Sequence, residues 1–184
     1  MTDLLETIKG RRSIRKYEET PVSEETLNRI LTAVQWSPSW TNCQPWELVI
    51  VRDPEVRAKL QASVYPKNPA VKAVGHAPVV IALCGRTGVS GFYDGKASTK
   101  FGDWFLFDLG IATQSLCLAA HDAGLGTVIV GLLDHDAAAE AISAPAGTEV
   151  VALIPLGVPA KISKAPERRP IADFTHADRF SGAQ

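Results

Sequence analysis

Residues Leu109 to Ala120, LGIATQSLCLAA, carry no charge, and the helical pattern around them runs from Asp103 to Ala123 with apolar residues on nearly every side. A helix of that kind is buried all round. A chain of 184 residues wraps such a helix only in part, so the pattern predicts a central helix with a face against a second subunit. Asp108 and Gln114 interrupt the run. No apolar stretch reaches the roughly 20 residues that a membrane span requires, so none is expected. Gly124 is the expected stop.

The remaining elements follow from period and punctuation. Leu4, Leu5 and Ile8 form a short amphipathic pattern that Gly10 ends. Ser23 caps a helix in which Leu27, Ile30, Leu31 and Val34 share one face, to about Gln35. Asp53-Pro54-Glu55 opens another helix, with proline where its missing N–H costs little. Asp134 caps a short alanine-rich one. Trp46–Val51, Pro78–Leu83, Thr127–Val130 and Val150–Leu156 read as strands. Tyr65–His76 is broken by Pro66, Pro69 and Gly75, and Gly85–Lys100 reads as a long glycine-rich loop free to move. From Gly157 the chain is a Pro- and Lys/Arg-rich tail without period, which either wraps a neighbouring subunit or is disordered. Four strands interleaved with helices predict a mixed α/β sheet covered by helices, in one domain over residues 1–184.

Against a net charge of −1, the octapeptide Lys9–Lys16, KGRRSIRK, concentrates five cations and a hydroxyl. Guanidinium forks meet phosphate oxygens in pairs. The segment alone is equally a solvated basic turn. The balanced total charge argues against nucleic acid as a partner. Cys43, Cys84 and Cys117 form neither a metal spacing nor a disulfide framework, and Cys84 and Cys117 sit in apolar segments as buried thiols. With no secretion pattern at the start, a cytoplasmic protein is expected. His76, His121, His135 and His176 show no ligand spacing, and no metal is expected.

Two further stretches suit a ligand. Ser37–Trp46, SPSWTNCQPW, combines amides, hydroxyls and a proline-fixed backbone with two tryptophans, and so offers hydrogen bonds and an aromatic wall to a flat heterocycle. It is equally a helix-to-strand connection that packs its tryptophans in the core. Gly124–Gly131, GLGTVIVG, lets a backbone approach a ligand closely, although its glycines follow a helix and do not form a dinucleotide fingerprint.

Taken in order, RRSIRKY, SPSWTNCQPW, DLGIATQSLCLAA running into GLGT, and the closing IPLGVPA with its Arg-Arg-Pro make a chain that resembles the FMN-dependent nitroreductase family from about residue 7 to 170. The resemblance implies an α+β, three-layer nitroreductase-like fold: a mixed, mainly antiparallel sheet flanked by helices, in a homodimer with exchanged C-terminal tails. It implies FMN as cofactor, with NADH or NADPH as electron donor.

The implied site follows residue by residue. Arg11, Arg12, Ser13 and Arg15 match positions that hold the phosphate and ribityl chain, and Arg15 also matches a cation at the flavin N1/O2 edge. Pro38, Ser39 and Asn42 match a loop that meets the isoalloxazine, usually from the second subunit. Gly131 and Leu132 match the strand end whose backbone faces flavin N5. Arg168 matches a tail arginine that returns to the phosphate, with Arg169 or Lys164 as substitutes. Asn68 and Lys72 fall where the family has polar flavin contacts. Two departures stand out. Trp40 fills a position expected to be small, in the substrate pocket, and Pro166 replaces a basic residue.

No side-chain nucleophile is needed, because flavin carries the redox chemistry. The implied activity is NAD(P)H-driven reduction of nitroaromatics, quinones or similar small acceptors by a ping-pong mechanism. Reductive dehalogenation or oxidative flavin chemistry on the same fold is an alternative, as is a non-catalytic flavin-binding redox protein.

Overall fold

A computed structural model describes residues 3–180; the ends of the 1–184 domain expectation lie outside the described residues. The chain order is α1 (Leu4–Gly10), α2 (Glu24–Gln35), β1 (Trp46–Val51), α3 (Pro54–Ser63), α4 (Val71–His76) and β2 (Val79–Arg86), then β3 (Phe92–Tyr93), β4 (Lys96–Ala97), α5 (Phe105–Asp122), β5 (Gly126–Thr127), α6 (His135–Ala141) and β6 (Thr148–Gly157). Two 3-10 turns, Trp40–Asn42 and Ile171–Asp173, complete it.

The main sheet runs β1-β2-β6-β5, and every neighbouring pair is antiparallel. The α/β order of elements therefore does not produce parallel pairing among these strands, and the fold is α+β. Strand β2 explains the layering. Residues Val79 to Gly85 are buried throughout, which requires cover on both sheet faces. Val79, Ile81 and Leu83 pack with Leu27, Ile30 and Val34 of α2 and Leu109, Ala112 and Leu116 of α5. Val80, Ala82 and Cys84 point the other way, against Leu60 of α3, Val74 of α4 and Ala138 of α6. The result is helices, sheet, helices.

Local signals account for the helix starts. Ser23 accepts from the Thr26 N–H, Asp53 from Glu55 and Val56 with Pro54 in the first turn, and Asp134 from Ala137. Gly124, at φ 77°, follows α5.

Several expectations change. Leu4, Leu5 and Ile8 face solvent, and Thr7 is the buried residue of α1. Helix α4 forms in the Tyr65–His76 stretch despite Gly75, because Ala73 and Val74 bury against the sheet. The expected strand Thr127–Val130 contracts to Gly126–Thr127 plus an isolated bridge from Val130 to Leu153. The expected mobile loop Gly85–Lys100 contains the end of β2, the buried Ser90 and the β3–β4 hairpin. Its turn is Asp94-Gly95, both at positive φ, a sequence and geometry that match the right-handed twist of a hairpin. Helix α5 is buried along Leu109, Ala112, Thr113 and Leu116 but leaves Leu106 and Phe107 well exposed.

Candidate functional site

The basic segment leaves α1 and lies beside the sheet edge. Ser13 forms a parallel bridge with Thr127, and the Ile14 N–H donates to the Thr127 carbonyl at 2.8 Å. Ile14 is buried, so its neighbours Ser13 and Arg15 point outward. Gly126 makes the approach possible. A Cβ there would sit 2.4 Å from Ile14 Cγ1.

Across from this segment the tail comes back. Glu18 N donates to the Val158 carbonyl at 3.0 Å, and Ala160 N to the Lys16 carbonyl at 3.0 Å. These bonds set the tail alongside, and Lys164 and Arg168 then join Arg11, Arg12, Ser13 and Arg15 around a recess of about 260 Å³. Five cations and the hydroxyls of Ser13 and Ser163 line it, and none of its lining residues is acidic. Arg12 is partly engaged already, since its guanidinium donates to the Arg11 carbonyl at 2.7 Å and to that of Lys9. Arg169 turns away. It donates to the Asp173 carbonyl and stands over the Phe174 ring. The recess therefore takes Lys164 and Arg168 from the tail.

Gly131 and Leu132 lie farther along the same edge. Val130 exchanges two 2.9 Å hydrogen bonds with Leu153, and Leu133 bridges Val64. Between these buried anchors Gly131 and Leu132 are exposed. Their N–H groups have no acceptor among the described residues. Thr127 stands opposite Leu156 and Val130 opposite Leu153. At about 3.3 Å per residue the two points are roughly 10 Å apart along β6. Asn68 reaches this step and donates from Nδ2 to the Leu132 carbonyl at 3.2 Å. Lys72 is exposed on α4.

Pro38, Ser39, Trp40 and Asn42 are not beside the arginines. They line two recesses, one with Gln35 and Trp36, the other at the N-terminal end of α5 with Trp104, Phe107 and Ile111, whereas Arg11 and Arg12 lie by Cys117 and His121 toward its C-terminal end. Trp40 packs on Trp104 at 5.4 Å between ring centroids, and Trp104 on Phe107 at 5.3 Å. Within one chain the two halves of the expected site remain apart.

The sequence reading missed three residues here. Asp108, 2% exposed, accepts from the Trp40 N–H at 3.2 Å and from Ser90 Oγ at 2.7 Å. Arg86 donates to the carbonyls of Cys43 and Gln44 at 3.1 and 2.9 Å. Trp104 supplies the partner of Trp40. The signal for Asp108 was present, as the one carboxylate within a run otherwise free of charge.

Buried protons flank the basic segment. The Tyr17 hydroxyl sits 2.7 Å from the Ile14 carbonyl and 3.1 Å from that of Pro155, and burial pushes its pKa far up. Burial also raises the Cys117 thiol, against a smaller opposite pull from Thr127. The three cysteines are free, with Cys84 and Cys117 buried. Among the described residues no group of acids, histidines and cysteines is placed to hold a metal, and no helix is long and apolar enough to cross a membrane.

Comparison with known proteins bears on this arrangement. Residues 8–158 match the model of the nitroreductase family. A protein of Methanothermobacter thermautotrophicus described as an NADH dehydrogenase/NAD(P)H nitroreductase is 36% identical over 163 residues, covering 86% of this chain and 78% of that one. Among solved structures, a nitroreductase family protein from Clostridium novyi superposes with a TM-score of 0.77 at 31% identity, over 86% of each chain. A protein of Exiguobacterium sibiricum described as a nitroreductase and solved in complex with FMN gives 0.80 at 26% identity, over 96% of this chain and 97% of that one.

Proposed function

The chain belongs to the nitroreductase family, an FMN- and NAD(P)H-dependent class of oxidoreductase, and we propose that it carries electrons from NADH or NADPH to nitroaromatics, quinones or similar electron-poor small molecules. The observation that carries the reading is the recess where Arg11, Arg12, Ser13, Arg15, Lys164 and Arg168 converge.

The donor set fits the cofactor. A phosphate monoester brings close to two negative charges and three acceptor oxygens, and the recess offers cations and two hydroxyls with no competing carboxylate. Each charge-assisted contact contributes about 1.5–3 kcal/mol, so three or four suffice for tight binding. Arg11, Ser13 and Arg168 would hold the phosphate, with Arg12 and Lys164 adding field. Arg15 supplies positive charge on the way to the ring. The exposed step Gly131–Leu132 offers N–H groups, which suits the N5 edge. The roughly 10 Å separation along β6 matches a phosphate at one end and a ring at the other.

The chemistry a bound FMN supplies is two-electron hydride transfer. The residues of this chain bind, orient and polarise; none is required as nucleophile or proton donor. Donor and acceptor use one open face in turn, which is ping-pong kinetics. Pro38, Ser39 and Asn42 complete the site from the second chain of a homodimer. The apolar surface left open at Leu106, Phe107 and Phe174 supports that assembly. Free cysteines support a cytoplasmic setting, and two cores sharing one sheet support a single domain over 1–184.

The test is an absorbance spectrum of the purified protein followed by initial-rate kinetics with NADH and a nitroaromatic. Bound flavin and parallel double-reciprocal lines are expected. A colourless protein that does not take up FMN would overturn the reading, and intersecting lines would overturn the shared face.

A further inference from the structure

We propose that Asp108 and Arg86 are positioning residues that clamp the turn at Trp40–Asn42 from its two ends and thereby set the loop that meets the flavin ring and, through Trp40, the acceptor. The proposal rests on the function given above and adds residues that the resemblance does not include.

The turn needs a clamp. Thr41, Asn42 and Gln44 all lie at positive φ, 45°, 59° and 46°. None is glycine, and such conformations cost of order 1–3 kcal/mol each unless the surroundings over-determine them. Part of the restraint is internal, since Ser39 Oγ accepts from the Gln44 N–H at 2.9 Å. The rest comes from outside. At the first end the Asp108 oxygens lie 3.2 Å from the Trp40 N–H, with Cys43 Sγ at 3.9 Å from one of them. At the far end one Arg86 nitrogen takes the carbonyls of Cys43 and Gln44, while Glu47 holds Nε at 3.4 Å. An anion thus accepts from the backbone N–H where the turn begins, and a cation donates to the backbone carbonyls where it ends.

Asp108 has no cationic partner within ion-pair distance among the described residues. Burying a carboxylate is costly, and its hydrogen bonds go to the loop and to Ser90. The two clamp residues come from α5 and β2, which are packed together: a Cβ on Gly85, next to Arg86, would touch Phe105 and Leu109, next to Asp108. The loop is thus referenced at both ends to one rigid helix–strand pair. Pro38, Ser39 and Asn42 are held without either clamp residue having to touch a ligand.

The test uses Asp108→Asn, Arg86→Met and Arg86→Lys, read first by amide hydrogen exchange over residues 38–45, which needs no flavin. Asp108→Asn and Arg86→Met are expected to speed exchange there about tenfold or more, and Arg86→Lys by less. In the holoenzyme the same two variants keep their flavin, because the arginine recess is untouched. They raise the acceptor KM about fivefold or more while kcat for NADH-driven turnover stays within about twofold. Unchanged exchange in folded Asp108→Asn would overturn the clamp. Faster exchange with unchanged acceptor KM would overturn its positioning role. If Asp108→Asn does not fold, Arg86→Met decides the matter by the same two readings, since Arg86 is half-exposed. A wild type without flavin would overturn the functional reading while exchange still decides the clamp.

Discussion

The Asn68 side chain ties two loops together: its nitrogen donates to the Leu132 carbonyl at 3.2 Å, and its oxygen accepts from the Ala70 N–H at 2.9 Å. Both halves of the amide are used inside the chain. Asn68 therefore fixes the Gly131–Leu132 step, in addition to any contact it makes with a ligand. Asn68→Asp keeps the acceptor and loses the donor. We expect a stability loss of about 1 kcal/mol in urea unfolding and a slower flavin reduction by NADH at unchanged flavin content. Unaltered stability and rate together would show the tie to be idle.

The arginine recess makes a prediction that separates neighbours. Arg11→Ala, Ser13→Ala and Arg168→Ala are each expected to weaken FMN binding about tenfold or more, giving folded protein depleted in yellow colour. Arg169→Ala is expected to retain flavin, because Arg169 is turned to the Asp173 carbonyl. The flavin-to-protein absorbance ratio reads all four. Stoichiometric FMN in the first three would remove the phosphate from this recess.

Gly126→Ala tests how the basic segment is seated. The new methyl meets Ile14 Cγ1 and Cβ at 2.4 and 2.7 Å, so Ile14 must move. Overpacking of this kind costs about 1–3 kcal/mol, and the Ser13–Thr127 bridge loosens with it. A lowered melting temperature with faster FMN dissociation is expected; wild-type values for both would mean that the segment adapts freely.

Alkaline pH should destabilise the fold before it alters the site. Burial raises Cys84 from 9.0 to about 11, and raises Cys117 and Tyr17 as well. A group whose folded pKa lies above its unfolded one holds its proton longer in the native state. The unfolded chain then binds fewer protons, so stability falls as pH rises. For Cys84 the contribution is complete below about pH 9 and is lost as pH passes about 11. Urea midpoints should decline across that window, and Cys84→Ser should flatten the decline. A midpoint independent of pH from 9 to 11 would contradict the burial argument.

Phe107 tests the assembly. It is 60% exposed on α5 in the single chain. Phe107→Glu on a free surface would leave mass and stability unchanged, whereas in a subunit interface it breaks the dimer. Sedimentation equilibrium is expected to show a dimer for the wild type and a lighter species, poor in flavin, for the variant. A flavin-loaded wild-type monomer would refute the homodimer.

Much of the fold was legible because its signals are local. Ser23, Pro54 and Asp134 mark helix starts through one side chain or ring and the adjacent backbone. The fully apolar run Pro78–Leu83 marked a strand by composition alone, and β2 covers Val79–Arg86. Legibility failed where distance mattered. Helix α4 depends on a sheet face that the local prolines and Gly75 do not reveal. The exposed apolar face of α1 has no cover among the described residues. The hairpin at Asp94-Gly95 was readable from its turn pair, yet a glycine-rich surround masked it.

By itself the sequence determined helices α1, α2, α3, α5 and α6, strands β1, β2 and β6, the basic octapeptide and the set of residues resembling one family, because each is encoded by neighbours along the chain. The tertiary structure alone decided the antiparallel order β1-β2-β6-β5 and the meeting of Lys164 and Arg168 with Arg11–Arg15. It also turned Arg169 aside and brought Asp108 and Arg86 to opposite ends of one strained turn. Those outcomes depend on which distant groups packing brings within hydrogen-bond reach. Arg168 and Arg169 are neighbours in the chain, and only the path of the tail separates their surroundings.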